Sequence, residues 1–154
     1  MNFEMTDDRR MLAESLARLL ADRYGIEHRG KVAYEPPYND PDGWDALAEL
    51  GILYAFLPEE AGGMGGSGFD LLAVFQQLGR ALCPEPLLGA AICGPLLAKA
   101  EDDLGPFLSG EIRYALAAGE PAAPWDPEAG GCQAEVAGEG FRLTGRKSAV
   151  YGGN

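Results

Sequence analysis

The sequence predicts a mainly α fold, in which an N-terminal helical bundle over residues 1–110 is followed by an incomplete antiparallel β domain over residues 111–154. Two observations support this prediction. Before residue 110, apolar side chains recur at three- and four-residue steps, which is the period of an amphipathic helix. After Gly110, the apolar runs become short and are separated by turns rich in glycine and proline, which is typical of β-structure.

The first helix is predicted over residues 7–24. Thr6 is a good N-cap, acidic residues occupy the first turn, and Gly25 can end the helix. A polar link containing several prolines follows. A shorter helix is then predicted over residues 41–50, with Gly51 at its end.

Three further helices are predicted before residue 110. A short apolar run over residues 52–57 is stopped by a proline, and a helix follows over residues 69–82. Its predicted apolar face comprises Leu71, Leu72, Phe75 and Leu78. The next helix, over residues 87–100, is apolar nearly all round, which is typical of a helix buried in a bundle or under a partner. One more short helix is predicted over residues 102–108.

The remainder of the chain predicts strands. Residues 112–118 are continuously apolar, like a buried strand, and residues 133–137 and 141–143 are joined by a glycine turn. Residues 147–151 predict another short strand. These strands do not complete a sheet before Asn154. Because an unfinished sheet has open edges, we expect this half to be mobile, exposed or paired with another chain.

Charge and cysteine content exclude several classes of protein. The net charge of −12 argues against nucleic-acid binding, and the start of the chain has no secretory leader. Cys83, Cys93 and Cys132 lack C-x-x-C spacing, so neither a disulfide scaffold nor a metal site is predicted. His28 is the only histidine and is expected to be structural or inert. The longest apolar run is too short to span a membrane, and we expect a soluble protein of the reducing cytoplasm.

Residues 63–68 fit the dinucleotide-binding pattern G-x-G-x-x-G. That pattern needs a strand running directly into the first glycine and a second strand after the helix. Here residues 58–62 intervene, and Glu85 lies between two prolines where no ladder strand can form. The sequence therefore favours a turn between helices over a nucleotide site.

The same loop carries a resemblance to a known family. Residues 57–65 followed by residues 77–80 resemble the "PEE-x-GG-x-G … EELGR" stretch of the acyl-CoA dehydrogenase family, and residues 44–51 resemble its "W-x-x-L-x-x-x-G" helix. Downstream, the family has "A-L-[ST]-E-P-G-x-G-S-D" and "L-x-G-x-K-x-W-I-T-N". The positions in register with these segments are Glu120, Pro121, Asp126, Leu143, Gly145 and Lys147.

The resemblance implies an enzyme with an N-terminal helical domain, a middle β domain and a C-terminal helical domain. Members hold FAD non-covalently and oxidise acyl-CoA thioesters to trans-2-enoyl products, passing electrons to an acceptor. FAD contacts a neighbouring subunit, which implies a homo- or hetero-oligomer. The catalytic glutamate comes from the C-terminal domain, so no catalytic residue is predicted here, and these 154 residues alone are expected to be inactive.

The resemblance also implies cofactor-binding positions, namely Leu116, Ala118, Gly119, Trp125, Ala149, Val150 and Tyr151. Several of them depart from the family pattern. Gly119 replaces Ser or Thr, Ala149 replaces a Trp that packs on the flavin, and Tyr151 replaces a Thr near its N5 atom. The nearby carboxylates of Glu59, Glu60 and Glu120 are expected to be surface or loop groups.

Three interpretations remain open from the sequence. The chain is part of a divergent acyl-CoA dehydrogenase, of a heteromeric type that acts on bulky acyl-CoA. Alternatively, it is a non-catalytic dehydrogenase-like subunit or a helical interaction module. The third interpretation is a piece of a longer protein.

Overall fold

The computed structural model describes residues 5–100, 103–126, 128 and 130–153. The chain divides into two units, one reaching to Tyr114 and one beginning at Ala115. Within the described ranges, the first unit contains the helices α1 (Asp7–Arg23), α2 (Ile26–Tyr34), α3 (Pro41–Glu49), α4 (Gly68–Ala81), α5 (Leu87–Lys99) and α6 (Gly105–Leu108). Two 3-10 turns, Ile52–Phe56 and Glu59–Ala61, lie between α3 and α4. No helix in these ranges combines the length and apolarity that a bilayer span requires.

Local capping fixes where α1 and α4 begin. Thr6 caps α1, since its Oγ1 accepts a hydrogen bond from the Arg9 backbone nitrogen at 3.3 Å. Ser67 and Asp70 form a capping box at α4, in which the Ser67 backbone nitrogen donates to the Asp70 carboxylate at 2.9 Å. Arg9 then binds that carboxylate at 2.6 Å. The two caps therefore also tie α1 to α4.

The core of the helical unit surrounds the first 3-10 turn, Ile52–Phe56. Helices α3, α4, α5 and α6 all pack against this turn. Trp44 of α3 is buried beside it and donates its indole N–H to the Gly110 carbonyl oxygen at 2.9 Å. The run predicted as a short apolar segment is thus the centre of the bundle.

The structure corrects the helical predictions in detail. Helix α2 was not predicted, and Leu72, predicted on the apolar face of α4, is 59% exposed. Its place inside is taken by Ala73 and Val74, which are buried. Helix α5 buries one side only, and its opposite side exposes Leu88, Ile92 and Leu96. The last helix forms over Gly105–Leu108 and starts later than predicted, because residues 103 and 104 are not helical; residue 102 lies outside the described residues.

A polar cluster lies inside the helical unit. Glu85 is only 4% exposed, and its Oε1 accepts hydrogen bonds from the Tyr24 hydroxyl at 3.0 Å and the Asp40 backbone nitrogen at 2.9 Å. Its Oε2 is buried without a partner, and burial raises the pKa of Glu85. Asp40 in turn binds Arg23 at 2.8 Å and His28 at 3.0 Å, which gives the single histidine a structural role.

The glycine loop before α4 is a packed turn. The Gly63 nitrogen donates to the Pro58 carbonyl oxygen at 3.0 Å, and the Gly65 nitrogen donates to that of Leu57 at 3.1 Å. A Cβ atom on Gly63 would overlap the Leu57 carbonyl group. Because these N–H groups already bind the preceding backbone, they are not free to bind a phosphate. The interpretation as a turn between helices is confirmed.

The second unit contains one antiparallel hairpin among its described residues, formed by β1 (Gln133–Ala137) and β2 (Gly140–Thr144). Val136 pairs with Phe141 and Ala134 pairs with Leu143, so these four side chains share one face. Every residue of both strands is exposed. The predicted mainly α fold with a partial antiparallel β domain is confirmed.

Two predicted strands do not form. Residues 112–118 and 147–151 run without a ladder in the described structure. A strand needs a partner for its N–H and C=O groups, and an apolar run alone does not provide one. In the second segment, Ala149 has a φ of +53°, which breaks an extended conformation.

Candidate functional site

The two segments expected to contact a flavin lie side by side in the second unit. The Ser148 backbone nitrogen donates to the Gly119 carbonyl oxygen at 2.9 Å. A Cβ atom on Gly119 would lie 3.1 Å from the Ser148 oxygen and 3.2 Å from the Pro124 oxygen. Those distances are tighter than ordinary contacts. Gly119 stands where the family has a hydroxyl residue, and its lack of a side chain allows the backbone to approach this closely.

Glu120 holds the two segments at this spacing. Its carboxylate accepts hydrogen bonds from the backbone nitrogens of Gly131 at 2.5 Å and Cys132 at 3.0 Å, and from Lys147 Nζ at 2.8 Å. Lys147 also donates to the Ala118 carbonyl oxygen at 3.3 Å. The carboxylate thus connects the segment at 118–120, the loop end at 131–132 and the segment at 147–148.

The same contacts set the electrostatics of the site. The hydrogen bond from Lys147, followed by those from Gly131 and Cys132, lowers the pKa of Glu120 to about 2. Glu120 in return raises the pKa of Lys147. Glu59 and Glu60 are exposed, as expected, whereas Glu120 lies in a loop but is not a surface group, being 9% exposed.

The second segment turns sharply after Lys147. Ala149 is in the left-handed region, which non-glycine residues seldom adopt, and Gly152 follows with a φ of +73°. The Gly153 nitrogen donates to the Val150 carbonyl oxygen at 3.3 Å and closes the turn. Tyr151 lies at its tip and is 56% exposed. A phenol at this position is accessible to a ligand.

The expected cofactor-binding residues offer two kinds of contact. In the described part of this unit, the backbone N–H groups of Ala118, Gly119, Val150 and Tyr151 donate to no protein atom. Large apolar side chains nearby in sequence are exposed, with Trp125 at 93% and Leu116 at 44%. Backbone N–H donors and exposed aromatic side chains are both groups that bind a flat heteroaromatic ring carrying acceptor atoms. These residue types fit the isoalloxazine of a flavin.

The structure brings together only some of the expected positions. Ala118 and Gly119 lie against residues 147–148, which precede the expected Ala149, Val150 and Tyr151. Among the described residues, no hydrogen bond or ring contact joins Trp125 to that second segment. Lys147 and Ser148 were not predicted as site residues, although Lys147 already matched the family's "G-x-K" pattern.

Comparison with known sequences agrees with the resemblance. The family model described as "Acyl-CoA dehydrogenase, N-terminal domain" matches residues 6–104. Acyl-CoA dehydrogenase IpdE2 of Mycobacterium tuberculosis is 41% identical over 100 residues, covering 63% of this chain and 31% of that protein. Acyl-CoA dehydrogenase FadE34 of the same organism is 32% identical over 97 residues, covering 63% of this chain and 11% of that protein. The chain thus spans about a third or less of the curated relatives that it matches.

Solved structures show the same likeness. A variant of the Tcur3481-Tcur3483 steroid ACAD superposes with a TM-score of 0.81 at 28% identity, covering 94% of this chain and 41% of that one. The ChsE4-ChsE5 complex from Mycobacterium tuberculosis gives a TM-score of 0.77 at 26% identity, covering 97% of this chain and 42% of that one. With the helical unit matched by the family model, the chain belongs to the acyl-CoA dehydrogenase family.

Proposed function

We propose that this chain provides the N-terminal helical domain and the first part of the β domain of an FAD-dependent acyl-CoA dehydrogenase. The reaction is the α,β-dehydrogenation of an acyl-CoA thioester. The family match over residues 6–104 is the observation that supports this most strongly. The structural neighbours are more than twice as long as this chain, and the glutamate base is expected in the part that it does not span.

In this proposal, residues of the second unit form one wall of the flavin site, and their members are Leu116, Ala118, Gly119, Trp125, Ala149, Val150 and Tyr151. FAD, when bound, supplies the hydride acceptor. The free backbone N–H groups of Ala118 and Gly119 bind acceptor atoms of the ring, and Tyr151 packs near it. Glu120 and Lys147 keep the two segments at the spacing that this requires.

The proposed substrate is a bulky, steroid-type acyl-CoA, and the proposed assembly is an oligomer, either of one chain or of two. One structural neighbour is named a steroid ACAD, and the other is a complex of two proteins. All three cysteines are free, which supports a reducing compartment such as the cytoplasm. Electrons pass from the flavin to a separate acceptor.

A second candidate function is a non-catalytic dehydrogenase-like subunit. Ala149 and Tyr151 favour it, because a small residue replaces the ring that packs on the flavin and a phenol replaces a small hydroxyl. Under this alternative, the helical unit binds a catalytic partner and the second unit binds no flavin.

The visible absorption spectrum distinguishes the two candidates. The purified chain is incubated with FAD, desalted and scanned for flavin absorption. We expect flavin to be retained by the wild type and lost in Gly119→Val, where the added side chain enters the gap beside Ser148 and Pro124. Gly140→Val is the matched control, since nothing lies within 4 Å of that position.

A wild-type chain that retains no flavin would leave two interpretations, the non-catalytic subunit and a piece of a longer protein whose remaining part completes the flavin site. If flavin is retained, acyl-CoA is added next. We expect no bleaching of the flavin, because the base is supplied by residues outside this chain. Bleaching would show that these residues alone complete the site, against the proposal.

A further inference from the structure

A cleft on the helical unit contains two arginines that bind no other side chain. It has a volume of about 350 Å³ and lies between α1, α2 and α4. Its lining includes Ala17, Ala21, Arg29, Gln77 and Arg80. Ala17 and Ala21 lie one turn apart on α1, so their small side chains leave the floor of the cleft open.

Each of the other described arginines of the helical unit binds a side chain, and Arg18 and Arg113 bind neutral ones. Three arginines of the same unit bind carboxylates, namely Arg9 with Asp70 at 2.6 Å, Arg10 with Asp7 at 3.2 Å and Arg23 with Asp40 at 2.8 Å. Over the described part of the chain, Arg29 and Arg80 form neither an ion pair nor a side-chain hydrogen bond. The chain has 24 acidic residues against 12 basic ones, so two unpaired cations at one cleft are not explained by a shortage of carboxylates.

Arg29 is the less satisfied of the two. Its Nε is buried and has no hydrogen-bond partner, which is unfavourable for a charged donor. Arg29 also lies in the first turn of α2, where the helix dipole is positive and a cation is disfavoured. Glu27 in the same turn is two residues away and does not face it. An anion in the cleft would provide the acceptor that Arg29 lacks, once the guanidinium turns its Nε–H inward.

Helix α4 provides the opposite wall. Gln77 and Arg80 are three residues apart, so their side chains share one face of the helix. Gln77 is 9% exposed, and its amide makes no hydrogen bond to the described residues. No carboxylate lines the cleft. The lining therefore presents donors from two helices without a competing negative charge.

We propose that this cleft binds the phosphate group of a small molecule, with Arg29 and Arg80 as charged donors and the Gln77 amide as a neutral donor. A planar carboxylate, with two oxygens, is matched by the fork of a single arginine. Donors arriving from two helices suit the tetrahedral oxygens of a phosphate better. This site is independent of the flavin wall, which lies in the other unit.

The test is a titration of the 154-residue chain with inorganic phosphate and with pyrophosphate, followed by amide NMR shifts and calorimetry. We expect saturable shifts confined to the second half of α1, to α2 and to the second half of α4. Sodium acetate at equal ionic strength is the arm that separates phosphate from carboxylate recognition. Binding should weaken as sodium chloride is raised, because charge provides most of the attraction.

Two substitutions remove one charged donor each. Arg29→Gln and Arg80→Gln should each weaken phosphate binding by about tenfold or more, the usual effect of losing a charge-assisted hydrogen bond. Arg10→Gln is the matched control, since it removes the same charge from an exposed position outside the cleft. Its affinity should equal that of the wild type.

A further variant guards against misfolding. Ala21→Glu places a carboxylate at the exposed floor of the cleft, keeps a good helix former and should abolish binding while the helical circular dichroism is unchanged. The proposal is overturned if phosphate causes no saturable shifts, if acetate binds as tightly, or if the Arg29 and Ala21 variants bind like Arg10→Gln. It is equally overturned if these variants change only the oligomeric mass, which would assign the cleft to a protein partner.

Discussion

The two units of this chain differ in whether they bury a phenylalanine side chain. Phe56 lies in the 3-10 turn of the helical unit and is 1% exposed, whereas Phe141 lies in the hairpin and is 72% exposed. Both belong to regular apolar patterns in the sequence. In the first unit four helices pack around the turn. In the second, no layer of described residues covers the hairpin face, and a sheet becomes stable only when such a layer covers it.

The units also differ in how they hold a buried glutamate. Glu85 has two neutral donors and an oxygen without a partner, and its pKa is raised. Glu120 has two backbone donors and the ammonium of Lys147, and its pKa is lowered to about 2. The pKa of the same side chain thus moves in opposite directions in the two units. Burial is the main cause for Glu85, whereas for Glu120 the hydrogen bonds from Lys147 and from the two backbone nitrogens outweigh burial.

The largest expected effect comes from replacing Phe56, and the same substitution at Phe141 provides the comparison. Phe56→Ala should lower the free energy of unfolding of the helical unit by about 3–5 kcal/mol, because it leaves a cavity where four helices meet. Phe141→Ala is the matched substitution in the hairpin. It should change the free energy of unfolding by less than about 0.5 kcal/mol. Urea unfolding followed by far-ultraviolet circular dichroism measures both. Equal losses would mean that the hairpin face is covered in solution.

A smaller, pH-dependent effect is expected from Glu85→Gln. Because the folded pKa of Glu85 is raised by burial, its stabilising contribution is complete below its ordinary value of 4.5 and is lost as the pH rises through the folded pKa. One such group changes stability by at most about 1.4 kcal/mol per pH unit. Unfolding measured from pH 4 to pH 8 should show this decline in the wild type.

Glu85→Gln should lack that decline in stability above pH 4.5.

Asp40→Asn provides the contrast within the same cluster. Burial opposes ionisation of Asp40, but the hydrogen bonds from Arg23 and His28 outweigh it and lower its pKa. Its contribution is therefore lost as the pH falls. If Glu85→Gln and Asp40→Asn changed the pH dependence of stability over the same pH range, the raised pKa of Glu85 would be contradicted.

The smallest expected effect is local and lies in the second unit. Glu120→Gln removes the charge that binds Lys147 and the backbone of Gly131 and Cys132. Amide exchange at Gly131 and Cys132 should quicken by about tenfold, while exchange in α1 and α4 stays unchanged. In the wild type, the same loosening should occur as the pH falls from 4.5 towards 2. Unchanged exchange in the variant would show that the loop is held by other contacts.

The sequence predicts an element of this structure when the residues that determine it lie close together in the chain. The starts of α1 and α4 follow from caps a few residues away. Periodicity finds both helices, although it places Leu72 of α4 on the wrong side. Helix α2 was missed because Gly25 and Gly30 weaken its pattern, although tertiary packing holds Val32 inside. The strand predicted over 112–118 failed because its partner is not determined by its own residues.

The candidate site follows the same rule. The family resemblance placed Gly119 and Lys147 in register, but not the contact between their segments. Glu120 was expected to be a surface or loop group because glutamate is usually exposed. Its three hydrogen-bond donors lie 11 to 27 residues away in the chain, so no short pattern indicates them. Glu85 is hidden for the same reason, with Tyr24 at 61 residues and Asp40 at 45.

The glycine loop before α4 shows that identical letters in a motif can be physically unequal. Gly63 has no room for a side chain, and Gly65 has a φ of +117° that other residues rarely adopt. At Gly68 nothing lies within 4 Å and the backbone is ordinary. A pattern search weighs the three alike, whereas the substitution tolerance of the loop would fall into three grades. Such a profile of tolerance would separate this turn from a nucleotide-binding loop without any ligand in hand.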